Sequence, residues 1–251
     1  MKLIQSIQRA IDIINCFDNN NKTLTLNNIS EKLGLNINTT RGITNTLVFN
    51  NLLDHNVENN TYSLGSFYIT KSNLSYSNTV NKIKIIAKPY LKELAEKYKV
   101  SSRLQIVFGS EIMSVKTVNP ESSYYILATE DYQPLPLHAT SSGKLFLKYS
   151  KNAPAFEDLN FEKYTKFTIP DKNILLENLK KIDKNGYSSE FGETGLGISS
   201  IAVPIFNKDN TLFATVSITG LTPVIEDIVK EASEEMLKYK EVITEEFWST
   251  M

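Results

Sequence analysis

Leu3, Ile7, Ala10, Ile14 and Phe17 recur at helical spacing, which predicts an opening amphipathic helix of about four turns. The polar run from Asp18 to Lys22 ends it. Asn27 is placed to cap a short second helix that buries Ile29 and Leu33. Gly34 then breaks the period, and Asn36 is placed to cap a third helix carrying Ile43, Leu47 and Val48. Leu52–Asn56, a turn at Glu58-Asn59-Asn60 and Thr61–Leu64 follow as a small hairpin. Two short helices about a glycine turn, with a supporting helix before and a hairpin after, predict a winged helix-turn-helix.

Residues 66–98 predict one or two further helices, with a break or kink at Pro89. From Ser101 the pattern changes to short apolar runs at Leu104–Phe108, Ile112–Val118 and Tyr124–Ala128. Helices are predicted around Gly143–Tyr149 and Ile174–Ile182. Ile198–Phe206 and Thr211–Thr219 flank the turn Asn207–Asn210 and predict a hairpin, and residues 224–247 close the chain as an amphipathic helix. Strands and helices in this mixed order predict an α+β domain on an antiparallel sheet. The expected division is a DNA-binding domain at 1–65, a linker helix at 66–80 and a sensor domain at 81–251.

Composition narrows the function. At 251 residues, 41% apolar and 22% charged, the chain has the material for two globular domains. It lacks a run of about 18 apolar residues, and its start reads as a helix rather than a signal peptide, so the expectation is a cytoplasmic protein without a membrane segment. One cysteine, Cys16, and two histidines, His55 and His138, argue against a disulfide or a dedicated metal site, and no cofactor is expected. Net charge is −1, with six Lys or Arg against five Asp or Glu in the first 80 residues and 21 against 23 in the rest. That asymmetry is too small to argue for nucleic acid, so the case rests on the helix-turn-helix. The second helix of such a motif enters the major groove, where Asn38, Thr39, Thr40, Arg41 and Asn45 offer short polar groups, amides and a guanidinium for base edges and phosphates. The alternative is a solvated surface helix.

Taken in order, these segments resemble the IclR family of bacterial regulators. Ser6–Ala10 is similar to the family's opening helix, Ile29–Leu35 to its turn, and Tyr62-Ser63-Leu64-Gly65 to the close of its wing. Pro136-Leu137-His138-Ala139-Thr140-Ser141-Ser142-Gly143-Lys144 resembles the family's Pro-Leu-His-Ala-Thr-x-x-Gly-Lys, and Asn185-Gly186-Tyr187, Glu193, Gly197 and Ala202-Val203-Pro204 follow in its spacing. One departure stands out: Gly42 occupies the usual place of a recognition-helix arginine, and Arg41 lies one position earlier. The resemblance implies a GAF-like sensor domain, binding of a double-stranded DNA operator, a small-molecule effector and a homodimer or tetramer. The opening helix and the 66–80 helix are the expected interface. The resemblance further implies that Ser141, Ser142, Glu190, Ser200, Ser217 and Thr219 line the effector site. Family members usually carry cysteine at Ser200, aspartate at Glu190 and serine at Thr219, so ligand identity does not transfer.

The residues themselves support part of this. Ser141 and Ser142 open a helix whose free amides suit a carboxylate, and Ser217 and Thr219, two apart on a strand, share a face. A small organic acid is the favoured ligand class. His138 reads as a structural residue bonding loop backbone. Two other readings stay open: a metabolite-binding protein without DNA binding, and a hydrolase using Ser141 and Lys144, which match a serine–lysine motif without its companion elements. A phosphate-binding loop at Gly143-Lys144 fails, because His138 and Leu145 stand where glycine and a hydroxyl are needed. Glu190 and Glu193 are read as lying in a glycine-rich loop with no nucleophile beside them. The chain is expected not to be an enzyme.

Overall fold

The computed structural model describes residues 3–18, 21–75, 77–122, 127 and 131–249, the side chains of 72–75 and 77 excepted. The chain separates into two compact units, Met1–Ser77 and Asn78–Met251.

In the first unit, α1 (Gln5–Ile14) is shorter than the four turns expected. Its stripe also divides differently. Ile13 is fully buried and packs with Ala10, Ile14 and Phe17, whereas Leu3, Ile4, Ile7 and Ile11 are exposed. Helix α2 (Leu26–Leu33) is capped by Thr25 rather than Asn27. The Thr25 hydroxyl accepts the Asn28 amide at 3.2 Å while Asn28 Oδ1 accepts the Thr25 amide, a reciprocal box that Asn27, two residues past the cap and already inside the helix, does not make. Thr25 also belongs to β1 (Leu24–Thr25), a short strand missed by the pattern because two residues have no readable period. Gly34 ends α2 at φ 61°, a left-handed position that favours glycine. Asn36 then caps α3 (Ile37–Phe49), its Oδ1 accepting the Asn38 amide at 2.9 Å. Strands β2 (Leu53–Asn56) and β3 (Thr61–Leu64) form the hairpin, with β1 added in the order β1-β3-β2. A side chain at Gly65 would meet the Asn51 carbonyl at 2.3 Å, so glycine is needed where the hairpin leaves. Helix α4 (Phe67–Ser75) follows.

The second unit is a five-stranded antiparallel sheet between two helical layers. Strands β4 (Ser101–Phe108), β5 (Glu111–Val118), β6 (Ser188–Phe191), β7 (Ile198–Phe206) and β8 (Leu212–Leu221) run in the order β5-β4-β8-β7-β6. Leu104, Ile106, Ile201, Val203, Val216 and Ile218 cover one face and pack against α5 (Ser77–Tyr98) and α8 (Thr222–Ser249). The other face meets α6 (Ser141–Tyr149) and α7 (Lys172–Asn185) through Leu145, Phe146, Leu175, Leu179 and Ala202. The α5 helix runs through Pro89 without the expected break. Pro89 is on the exposed side, so water can satisfy the carbonyl that its missing amide leaves open, while Ile83, Ala87, Leu91 and Leu94 pin the other side. The predicted run Tyr124–Ala128 lies outside the described residues apart from Leu127.

Candidate functional site: an exposed helix face and a buried cavity

Helix α3 has two sides. Thr40, Thr44 and Leu47 are buried, with Ile43 and Val48 packed beside them. Asn38, Arg41, Gly42, Asn45, Thr46 and Phe49 are exposed along the opposite stripe, where Asn38, Arg41/Gly42, Asn45/Thr46 and Phe49 recur every three or four residues. Arg41 Nη1 donates to Asn38 Oδ1 at 3.2 Å, so the amide steadies the guanidinium on this surface. Of the five expected contact residues, Asn38, Arg41 and Asn45 share the exposed face and Thr39 is half-buried. Thr40 is a correction: its side chain is inaccessible and its hydroxyl donates to the Asn36 carbonyl at 3.1 Å, which leaves it no route to a partner. A side chain at Gly42 would meet nothing within 4 Å, so this stretch of the stripe is bare backbone.

The sheet of the second unit separates chemistry by strand period. On the face opposite the α5–α8 core, register places Arg103 beside Ser217 and Ala202, and Ser101 beside Thr219, Ser200 and Glu190. Above this face, Thr140 caps α6 by accepting the Gly143 amide at 3.0 Å, which sets Ser141 and Ser142 at the first turn. Sheet and helix line a half-open cavity of about 550 Å³. Ser141, Ser142, Glu190, Ser200, Ser217 and Thr219 all line it. Glu190 lies on strand β6 rather than in the loop expected, where its alternation with the neighbouring residues aims it at the cavity.

The polar groups form two linked sets. In one, Ser200 donates to Glu190 Oε1 at 3.1 Å, the Ser141 and Ser200 hydroxyls lie 2.8 Å apart, and Glu190 Oε2 accepts the Glu193 amide at 3.0 Å. Burial pushes the Glu190 carboxyl up to about 7. In the other, Gln105 Nε2 donates to Ser217 at 2.7 Å, and Thr215 bridges Gln105 Oε1 and the Ser142 hydroxyl at 2.8 and 2.9 Å. Lys144 is 1% exposed and donates to Glu193 Oε1 at 2.5 Å and to the Ser189 carbonyl at 3.2 Å. Burial pulls the lysine down and the glutamate up, against their mutual attraction. Lys144 is therefore committed to Glu193, and Ser141 bonds Ser200 rather than Lys144, so the pair lacks the contact that a serine–lysine hydrolase needs.

Arg103, Gln105 and Tyr164 are among the lining residues that escaped the sequence. Arg103 is 5% exposed, its Nη2 donates to the Leu127 carbonyl at 3.3 Å, and its Nε has no hydrogen-bond partner. No ion pair to Arg103 exists among the described residues, and Asp131 supplies only an attractive charge against the burial that pulls its pKa down. Arg103 and Gln105 alternate with Leu104 and Ile106, a period of two that the apolar run beginning at Leu104 conceals by starting one residue late. Tyr164 carries no signal of its own. It stacks on His138 at 5.9 Å, and His138 bonds the Glu162 carbonyl at 3.0 Å, holding the segment that brings Tyr164 to the cavity.

Among the described residues no group of three or more His, Cys, Asp or Glu is arranged for a metal, and no helix is long and apolar enough to cross a membrane.

Comparison with known proteins gives consistent results. The model of the IclR helix-turn-helix domain matches residues 6–56, and that of the bacterial transcriptional regulator IclR C-terminal domain matches residues 77–240. The HTH-type transcriptional regulator XynR of Escherichia coli is 27% identical over 90% of this chain and 90% of its own length. The transcriptional repressor IclR of the same organism is 23% identical over 96% and 89%. A regulator from Silicibacter superposes with a TM-score of 0.83 at 20% identity, over 96% of each chain. An IclR homologue of Microbacterium hydrocarbonoxydans complexed with 4-hydroxybenzoate does so with a TM-score of 0.66 at 19% identity, over 94% of this chain and 99% of that one.

Proposed function

We propose that this chain, which belongs to the IclR family of bacterial transcriptional regulators, reads an operator with the exposed stripe of α3 and is switched by a small organic anion in its cavity. The observation that carries the ligand half is Arg103: a buried guanidinium facing a cavity, with an unmet Nε and no ion-paired carboxylate among the described residues. Leaving such a donor unsatisfied costs about 1–3 kcal/mol, more for a charged group, and a bound carboxylate supplies the missing acceptor. Ser217 stands beside Arg103 in register as a second donor. A ligand of this class also fits the pattern of relatives, among which a structural neighbour holds 4-hydroxybenzoate.

The operator half rests on Asn38, Arg41 and Asn45. One module with so few cations binds weakly, so two copies on two half-sites are required. Leu3 and Ile4 just before α1, with Ile7 and Ile11 on it, are between 44% and 65% exposed and supply the apolar surface for a homodimer or tetramer, and a stable monomer in sedimentation at micromolar concentration would remove this part. The protein is taken to be cytoplasmic and not an enzyme.

The test is thermal unfolding against a panel of small carboxylates. Binding to the native state at a hundredfold excess over Kd adds about 2.7 kcal/mol, so at least one carboxylate should raise Tm in the wild type and lose that effect in Arg103→Gln. A panel with no effect, or one acting equally on the variant, would overturn the reading.

A further inference from the structure

The hydrogen-bond directions around the cavity specify more than an anion. Resting on the reading just given, we infer that the ligand is a hydroxy acid bound lengthwise, with its carboxylate at Arg103 and Ser217 and its hydroxyl at Ser141, Ser200 and Glu190.

The Arg103 end only gives. A guanidinium has no acceptor, and its Nε is unspent. Ser217 already accepts from Gln105 Nε2 at 2.7 Å, so its own proton is left to donate. Both groups therefore face an acceptor, and a carboxylate oxygen pair meets them together.

The Glu190 end takes. Ser200 gives its single proton to Glu190 Oε1, so across the 2.8 Å contact Ser141 must give its proton to Ser200. Ser141 is left with lone pairs, and Glu190 adds a carboxylate. Lys144 does not neutralise that charge by contact, because its bonds go to Glu193 and Ser189. A second anion here meets a like charge in a buried setting. A hydroxyl is suited: its proton goes to Glu190 or Ser141, and its lone pairs face the first amides of α6, which have no partners within the helix. Arg103 on β4 and Glu190 on β6 are separated by three strand spacings, about 14 Å at the backbone, with Ser217 on β8 and Ser200 on β7 between them. A ligand with two polar groups, an acceptor on the Arg103 side and a hydroxyl on the Glu190 side, matches both sets. Leu127, Leu135, Pro136 and Ile198 give the stretch between an apolar lining.

Calorimetric titration of the full chain at pH 8, on the ionised side of Glu190, tests this with two matched sets. One is benzoate, 4-hydroxybenzoate, 4-methoxybenzoate and terephthalate; the other is hexanoate, 6-hydroxyhexanoate and adipate. In whichever set binds, the hydroxy acid should exceed its parent acid and its ether about ten- to a hundredfold, with the dicarboxylate weakest. Glu190→Gln should shrink that preference and raise the dicarboxylate. If the hydroxyl adds nothing, or the dicarboxylate matches the hydroxy acid, the lengthwise assignment is overturned while the anion site stands. The same holds if Glu190→Gln improves every carboxylate alike, which places the carboxylate at α6. If no member of either set binds, the anion reading falls and this inference falls with it.

Discussion

On α3, Asn38, Arg41 and Asn45 stand in solvent, and Arg41 leans on Asn38 through a single bond of 3.2 Å. Around the cavity, Ser141, Ser142, Ser200, Ser217 and Glu190 are buried, and each is held by another side chain. The first surface exposes its chemistry after folding and costs the fold little. The second desolvates its polar groups, so folding and recognition depend on the same bonds. Substitutions at Asn38, Arg41 and Asn45 should therefore change partner affinity alone, whereas those near the cavity should change stability as well.

The largest contrast is at Lys144. Lys144→Ala leaves Glu193 buried without its cation, and Glu193 Oε2 already has no partner. Breaking such a pair costs about 3–5 kcal/mol, to be read by urea denaturation. A loss under about 1 kcal/mol would mean that the pair is not what holds the 189–193 segment to α6. Arg41→Ala should cost about 1–3 kcal/mol of operator affinity by fluorescence anisotropy and leave Tm unchanged. An equal fall in Tm would erase the distinction between the two surfaces. The smallest effect is at Gly42, which sits mid-helix with open space around it. Gly42→Ala should stabilise the first unit by about 0.5–1 kcal/mol, visible as a raised Tm. A destabilised variant would show that the bare backbone is needed for packing.

The same contrast explains what the sequence discloses. Gly34, Asn36 and the polar turn Glu58-Asn59-Asn60 announce the helix-turn-helix and its wing, because turns and caps restrict residue type locally. Long apolar runs bounded by a polar turn, such as 198–206 before Asn207–Asn210, announce the sheet. Thr40 fails because a threonine that bonds its own helix backbone looks no different in sequence from one that faces solvent. Strand β6 fails because four residues give too short a period, and so Glu190 read as loop. The six cavity residues expected from the family resemblance do converge on one cavity, yet Arg103, which gives that cavity its charge, was hidden one position before an apolar run. Side chains gathered from five separate elements leave no local pattern to read.

The central claim is that ligand in the cavity and DNA on α3 are coupled. The direct measurement is operator affinity by anisotropy with and without a carboxylate that raises Tm, on the wild type and on Ser217→Ala. The wild type should shift by a factor that calorimetry finds again, reciprocally, as the effect of operator on carboxylate affinity. Ser217→Ala, missing a hydrogen bond to a charged group, should bind the carboxylate about tenfold or more weakly and show no shift at the same concentration, with its ligand-free DNA affinity unchanged. A carboxylate that binds the cavity and leaves operator affinity the same in both proteins would contradict the account.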